Sequence, residues 1–182
     1  PGRIIPPVIK ADGSKLRDVL GADVTYHQLK KKLLISMAKY IEKQVELFGI
    51  KGHRNIWTPN FQEDQLMLGE EVDFPFREII GALMWICTVC RPDAAQPTQC
   101  LAKFSSGPIT RALVNAAKKV LMYLSTTKDI GVNYSPESEA EFKRCYSKLL
   151  QANQKMEHYA VLSDASFAPC SITMRSYSGS VV

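Results

Sequence analysis

The feature that most constrains this chain is the stretch from Phe76 to Asp129. Within it Ile79, Ile80, Leu83, Met84, Ile86, Cys87 and Cys90 recur at steps of three and four, with further apolar residues between them. A helix that is apolar around most of its circumference belongs inside a protein rather than on its surface. Pro92 ends this helix, because proline lacks an amide donor and biases Arg91 away from helical dihedrals. Gly107-Pro108 is expected to open a second long helix, with proline near its first position. Leu113, Ala117, Val120, Leu121 and Leu124 form its apolar stripe, while Arg111, Asn115, Lys118 and Ser125 face elsewhere. Two helices joined by a proline-broken elbow are the expected core. Pro97, five residues past Pro92, requires that any helix in the elbow start late or kink.

The same stretch carries a family resemblance. Its ordered set of Gly81, Arg91-Pro92-Asp93, Phe104, Pro108, Lys118-Lys119, Tyr123-Leu124 and Lys128-Asp129 resembles the segment after the polymerase palm in copia-type retrotransposon Pol polyproteins. Upstream, LLISMAKYIEKQVELFGI resembles the block that closes the polymerase domain there, and Leu20-Gly21 matches a strand that precedes it. Downstream, LSDASFA and RSYSGSVV resemble the start of the family's RNase H domain.

Between these blocks the chain alternates short strand-like and helical runs. Leu20 to Tyr26 and Lys32 to Ser36 are expected to form a β-hairpin, with Lys30, Lys31 and Lys32 at its tip. Ser36 is a candidate N-cap for a helix whose stripe is Ile41, Val45 and Phe48, and Gly49 a candidate left-handed stop. Residues 61–73 are acidic with little apolar period, which suggests a linker. Ile130 to Tyr134 reads as a short strand broken by Ser135-Pro136, and 139–155 has a helical period without a counterpart in the family. His158 to Phe167 and Ser176 to Val182 read as two strands of an unfinished sheet.

Composition excludes some classes. No apolar run is long enough to span a bilayer, and no secretory signal opens the chain. Five cysteines without regular spacing favour a reducing, cytoplasmic compartment over a disulfide framework. A net charge of +5 suits a polyanionic partner as well as it suits an ordinary soluble domain. The start at Pro1, without methionine, suggests a piece of something longer.

For chemistry the resemblance singles out Asp164, which it implies is one of several carboxylates that hold two magnesium ions in the parent RNase H. Two cations roughly 4 Å apart need a dense carboxylate cluster. The chain ends before the next carboxylate expected from the family, and Pro169-Cys170 replaces a glycine-acid pair. The segment is therefore expected to bind no metal tightly and to have no nuclease activity. No Asp-Asp pair of the polymerase type occurs either. Cys87-x-x-Cys90 lacks a second ligand pair for zinc and reads as small core residues on a helix. Arg111, Lys118 and Lys119, with Lys30, Lys31 and Lys32 as a second patch, are the candidate phosphate contacts.

The expected fold class is α+β: an N-terminal β-hairpin and helix, a helical thumb/connection segment, then the opening strands of an RNase H-like sheet. By resemblance, residues 1–60 would end the reverse-transcriptase domain, 61–75 would link, 76–157 would connect, and 158–182 would begin RNase H. The implied function is a non-catalytic segment that grips a template–primer duplex and joins two catalytic domains. The implied partners are an RNA–DNA hybrid or DNA duplex and the remainder of the Pol polyprotein, with no membrane. The alternative is a helical interaction module left from a decayed element.

Overall fold

The computed structural model describes residues 6–50, 52, 54–147, 162–166 and 177–181. The fold is α+β. It divides into two compact units, Pro1–Pro136 and Glu137–Val182.

The first unit begins with a meander of β1 (Val8–Ile9), β2 (Lys15–Val19), β3 (Ala22–His27) and β4 (Lys32–Ser36). The expected hairpin is therefore the second half of a larger antiparallel sheet. Leu20-Gly21 is not in a strand. It forms the two-residue loop between β2 and β3, with φ of 55° and 86°. Positive φ at both positions matches the right-handed twist of the flanking strands, and leucine adopts it under strain. The fifth strand, β5 (Val132–Tyr134), comes from far along the chain and pairs with β4, giving the order β1-β2-β3-β4-β5.

Helix α1 (Ala38–Leu47) starts after Met37 with no side-chain cap, so Ser36 remains in β4 instead of capping. The far end behaves as its sequence suggests: Gly49 has φ 66°, its amide donates to Glu46, and the Ile50 amide donates to Val45. Those two bonds satisfy carbonyls that the helix would otherwise leave open.

Helices α2 (Phe76–Val89) and α4 (Arg111–Thr126) are the two long helices. Between them lie a 3-10 turn (Pro92–Ala94) and α3 (Ala95–Ala102). Pro97 falls in the first turn of α3, where its missing donor costs little, so the late start predicted from sequence is what occurs. Ile79, Leu83, Ile86, Leu113, Ala117, Val120, Leu121 and Leu124 are fully buried in one core with Met37 and Ile41. The expectation for α2 fails on one side, since Met84 is 51% and Trp85 37% exposed. Hydrophobic content around the circumference overstated burial, because α1, α3, α4 and the Pro92–Ala94 turn pack on this helix and still leave Met84 and Trp85 open.

Helix α4 does not open at Gly107-Pro108. It opens at Arg111, capped by Thr110, whose hydroxyl accepts from the Leu113 amide and donates to the Leu66 carbonyl at 2.5 Å. Residues 70–72 lie alongside this start: Val72 donates to Ile109, Arg111 donates to Glu70, and Glu71 bridges Thr110. The acidic stretch is thus pinned to the helical layer, with Leu66 buried.

In the second unit α5 (Pro136–Tyr146) carries Glu137 and Glu139 in its first turn and Lys143 and Arg144 in its last. That polarity complements the helix dipole. It overlaps the expected 139–155 helix, the rest of which lies outside the described residues. Strands β6 (Leu162–Ser166) and β7 (Tyr177–Val181) pair antiparallel, with Asp164 opposite Gly179.

Candidate nucleic-acid interface

The polar centre of the first unit is one that sequence reading did not assign. Arg91, immediately after α2, is fully buried. Its Nε and Nη2 donate to the two oxygens of Asp93 at 2.9 and 2.6 Å. Nη1 donates to the Thr127 carbonyl at 2.9 Å and Nη2 to the Thr127 hydroxyl at 2.7 Å. The guanidinium stands 5.4 Å from the centre of the Tyr123 ring, and the Tyr123 hydroxyl donates to Asp93 at 2.6 Å. Burial works against charge on both ionic partners, but their mutual hydrogen bonds prevail. They hold Asp93 below the ordinary carboxylate value and raise Arg91 above its own. This network ties the end of α2 to the end of α4. It was visible only as a motif; that Tyr123 and Thr127 lie on its far side depends on helix packing.

The candidate phosphate contacts divide into two groups. On α4, Arg111 is exposed, whereas Lys118 and Lys119 are half-buried. The Lys118 ammonium sits 5.3 Å above the Phe74 ring. The Lys119 ammonium donates to the Asn60 carbonyl at 2.5 Å. Residues 54–66 cross this side of α4, anchored again where the Ile56 amide donates to the Thr126 hydroxyl at 3.1 Å. A groove of about 630 Å³ runs between this strap and α4, lined by Phe61, Gln62, Gln65, Asn115 and Lys119 among others. Both lysines thus already serve intramolecular contacts, which the helical period alone could not reveal.

The second group is exposed. Lys30 and Lys31 lie in the β3–β4 turn and Lys32 begins β4. The Lys30 amide donates to His27 Nδ1, and Lys31 has φ 50°. The β1–β2 turn lies at the same end of the sheet, which brings His27 and Lys30 near Asp12. Asp12 is held low first by the Ser14 hydroxyl and amide.

No family model matches the chain, and no solved structure matches it. Over 121 residues it is 26% identical to the retrovirus-related Pol polyprotein from transposon TNT 1-94 of Nicotiana tabacum, covering 61% of this chain and 9% of the polyprotein. The likeness supports a retrotransposon Pol origin. Over 67 residues the chain is also 33% identical to the secreted RxLR effector protein 161 of Plasmopara viticola, covering 37% of this chain and 46% of the effector. The chain therefore spans less than half the length of either relative.

Asp164 sits mid-strand in β6. Strands β6 and β7 together contain no second carboxylate, so these ten residues do not fit a two-metal centre. Among the described residues no three His, Cys, Asp or Glu side chains gather as a metal-holding group. Cys87 and Cys90 are buried, and burial pushes both thiols up, which suits packing rather than redox chemistry. No helix among the described residues is long and apolar enough to cross a membrane.

Proposed function

We propose that this chain is a segment of a copia-type reverse transcriptase/RNase H that performs no chemistry itself, grips the template–primer duplex and connects the two catalytic domains. In the parent protein Asp164 would be one magnesium ligand among several, and the remainder of the Pol polyprotein would supply the others. The odd cysteine count is consistent with a reducing, cytoplasmic setting.

The observation that carries this reading is the Arg91–Asp93–Tyr123–Thr127 network. Asp93 and Tyr123, motif residues thirty positions apart and quoted separately for the resemblance, close with Thr127 into one hydrogen-bonded constellation around the buried Arg91 guanidinium. A buried charge left without its partner costs several kcal/mol, so a sequence under no constraint would lose such a set early.

Binding should be weak, insensitive to sequence and steeply dependent on salt, since phosphates and not base edges would be contacted. Each phosphate neutralised adds roughly 0.9 to the slope of log affinity against log salt. The test is a fluorescence-anisotropy titration of an RNA–DNA hybrid at several salt concentrations. Arg111, Lys118 and Lys119 are the α4 contacts; changing Lys118 and Lys119 together to Ala should reduce the slope by about two. An unchanged slope would remove α4 from the interface.

A second reading, a non-catalytic interaction module left from a decayed element, is favoured by the intramolecular engagement of those two lysines. Similarity to a secreted effector points the same way. It predicts no binding of the hybrid even at low salt.

A further inference from the structure

The five-stranded sheet reaches beyond the helices that cover it. On one face Ala22 is buried and Val24, Ile35 and Val132 are at least half-buried, with Ala22, Ile35 and Val132 in or against the core. Two residues further along each strand, the same face carries a row with one residue per strand: Ile9, Lys15, Tyr26, Leu33 and Tyr134. Directly paired residues of antiparallel strands point the same way, so these five side chains share one surface. Ile9 is 70%, Tyr26 43% and Tyr134 58% exposed. The tyrosines stand two strands apart, roughly 10 Å, with Leu33 between them.

The end of the sheet that carries this row is strongly basic. Lys10 and Lys15 flank the β1–β2 turn, and Lys30, Lys31 and Lys32 occupy or follow the β3–β4 turn. All five are exposed. Asp12 is the one carboxylate in those two turns, and it is bonded to Ser14.

We infer that this end of the sheet binds single-stranded nucleic acid, its bases stacking on Tyr26 and Tyr134 and its phosphates lying among the turn lysines. The charge selects a polyanion. Exposed ring faces on an open sheet select one whose bases are unpaired, because a duplex keeps its base faces stacked inside. A duplex would meet the lysines but leave the tyrosine faces unused. The inference rests on the reading that the chain handles nucleic acid, but places a different strand on a different surface from α4.

The experiment compares labelled oligo(dT) of roughly a dozen nucleotides with an RNA–DNA hybrid of equal length, by anisotropy. Wild type should bind the single strand more tightly. Changing Tyr26 and Tyr134 together to Ala should weaken single-strand binding about tenfold or more, with the salt slope unchanged. The Tyr26→Phe, Tyr134→Phe pair should restore it, since stacking needs the ring and not the hydroxyl. Lys30→Gln with Lys31→Gln should flatten the slope, and Lys118→Ala with Lys119→Ala should leave single-strand binding intact. Circular dichroism verifies that each variant is folded. A preference for the hybrid, or wild-type affinity in the folded Ala pair, overturns the inference. Single-strand binding without hybrid binding would sink the duplex grip and leave this site standing; hybrid binding alone would do the reverse.

Discussion

Arg91 shows how one residue can be marked by sequence yet understood only in space. A fully buried guanidinium is tolerable because carboxylate, carbonyl and hydroxyl acceptors use its donors in one plane. Arg91→Ala should cost about 1–3 kcal/mol, measured by urea unfolding, because the Thr127 carbonyl and hydroxyl lose their donor while the part-exposed Asp93 is screened by solvent. Lysine at this site should rescue little, having a point charge where a planar fork is used. The network also sets a pH window. Asp93 is depressed in the folded state, so its contribution is present above the ordinary carboxyl value near about 4 and lost as pH falls through the lowered one. Tyr123 is raised, first by its bond to Asp93, so its contribution is present below about 10 and lost as pH climbs through the raised value. The stability gap between wild type and Asp93→Asn should therefore be widest near neutrality and shrink below about pH 4. A gap that does not change with pH would show that Asp93 is not the ionic partner.

At the scale of elements, turn chemistry and close approach decide what the apolar pattern leaves open. Leu20 is 80% exposed and holds a left-handed conformation that costs about 1–2 kcal/mol for a branched side chain. Leu20→Asn, giving Asn-Gly in the β2–β3 loop, should raise stability by about 1 kcal/mol in thermal or urea melts. Gly131 has the opposite sensitivity. A Cβ there would lie 2.1 Å from the Ile35 carbonyl oxygen, backbone that cannot yield without unpairing β4 from β5. Gly131→Ala should destabilise by about 1–3 kcal/mol or more and speed amide exchange along β5 first. Equal protection in the variant would show that β5 does not dock so closely. In sequence the glycine reads as one residue of the Ile130 to Tyr134 strand; its reason is a strand almost a hundred positions away.

For the whole molecule, the proposed non-catalytic role has a direct test. Purified chain with magnesium should show no DNA synthesis and no RNA cleavage above an Asp164→Asn control. Activity that depended on Asp164 would mean carboxylates outside β6 and β7 complete a metal site.

The apolar periods of α1, α2 and α4 were legible in sequence because burial against a flat neighbour imposes a 3.6-residue repeat on any helix. The same holds for the α+β class, for β3 and β4, and for the Gly49 stop. What the linear pattern could not contain was which surfaces meet. The bare outer face of α2, the strap that takes up Lys119, and the strand β5 added beside β4 all depend on contacts between distant residues. So do the Arg91 network and the row across five strands that carries Tyr26 and Tyr134, since each gathers side chains whose spacing in sequence carries no period at all. Local propensity and hydrophobic repeat act over a few residues and can be read in order; partner choice for a buried charge or an exposed ring is made only when the chain folds back on itself.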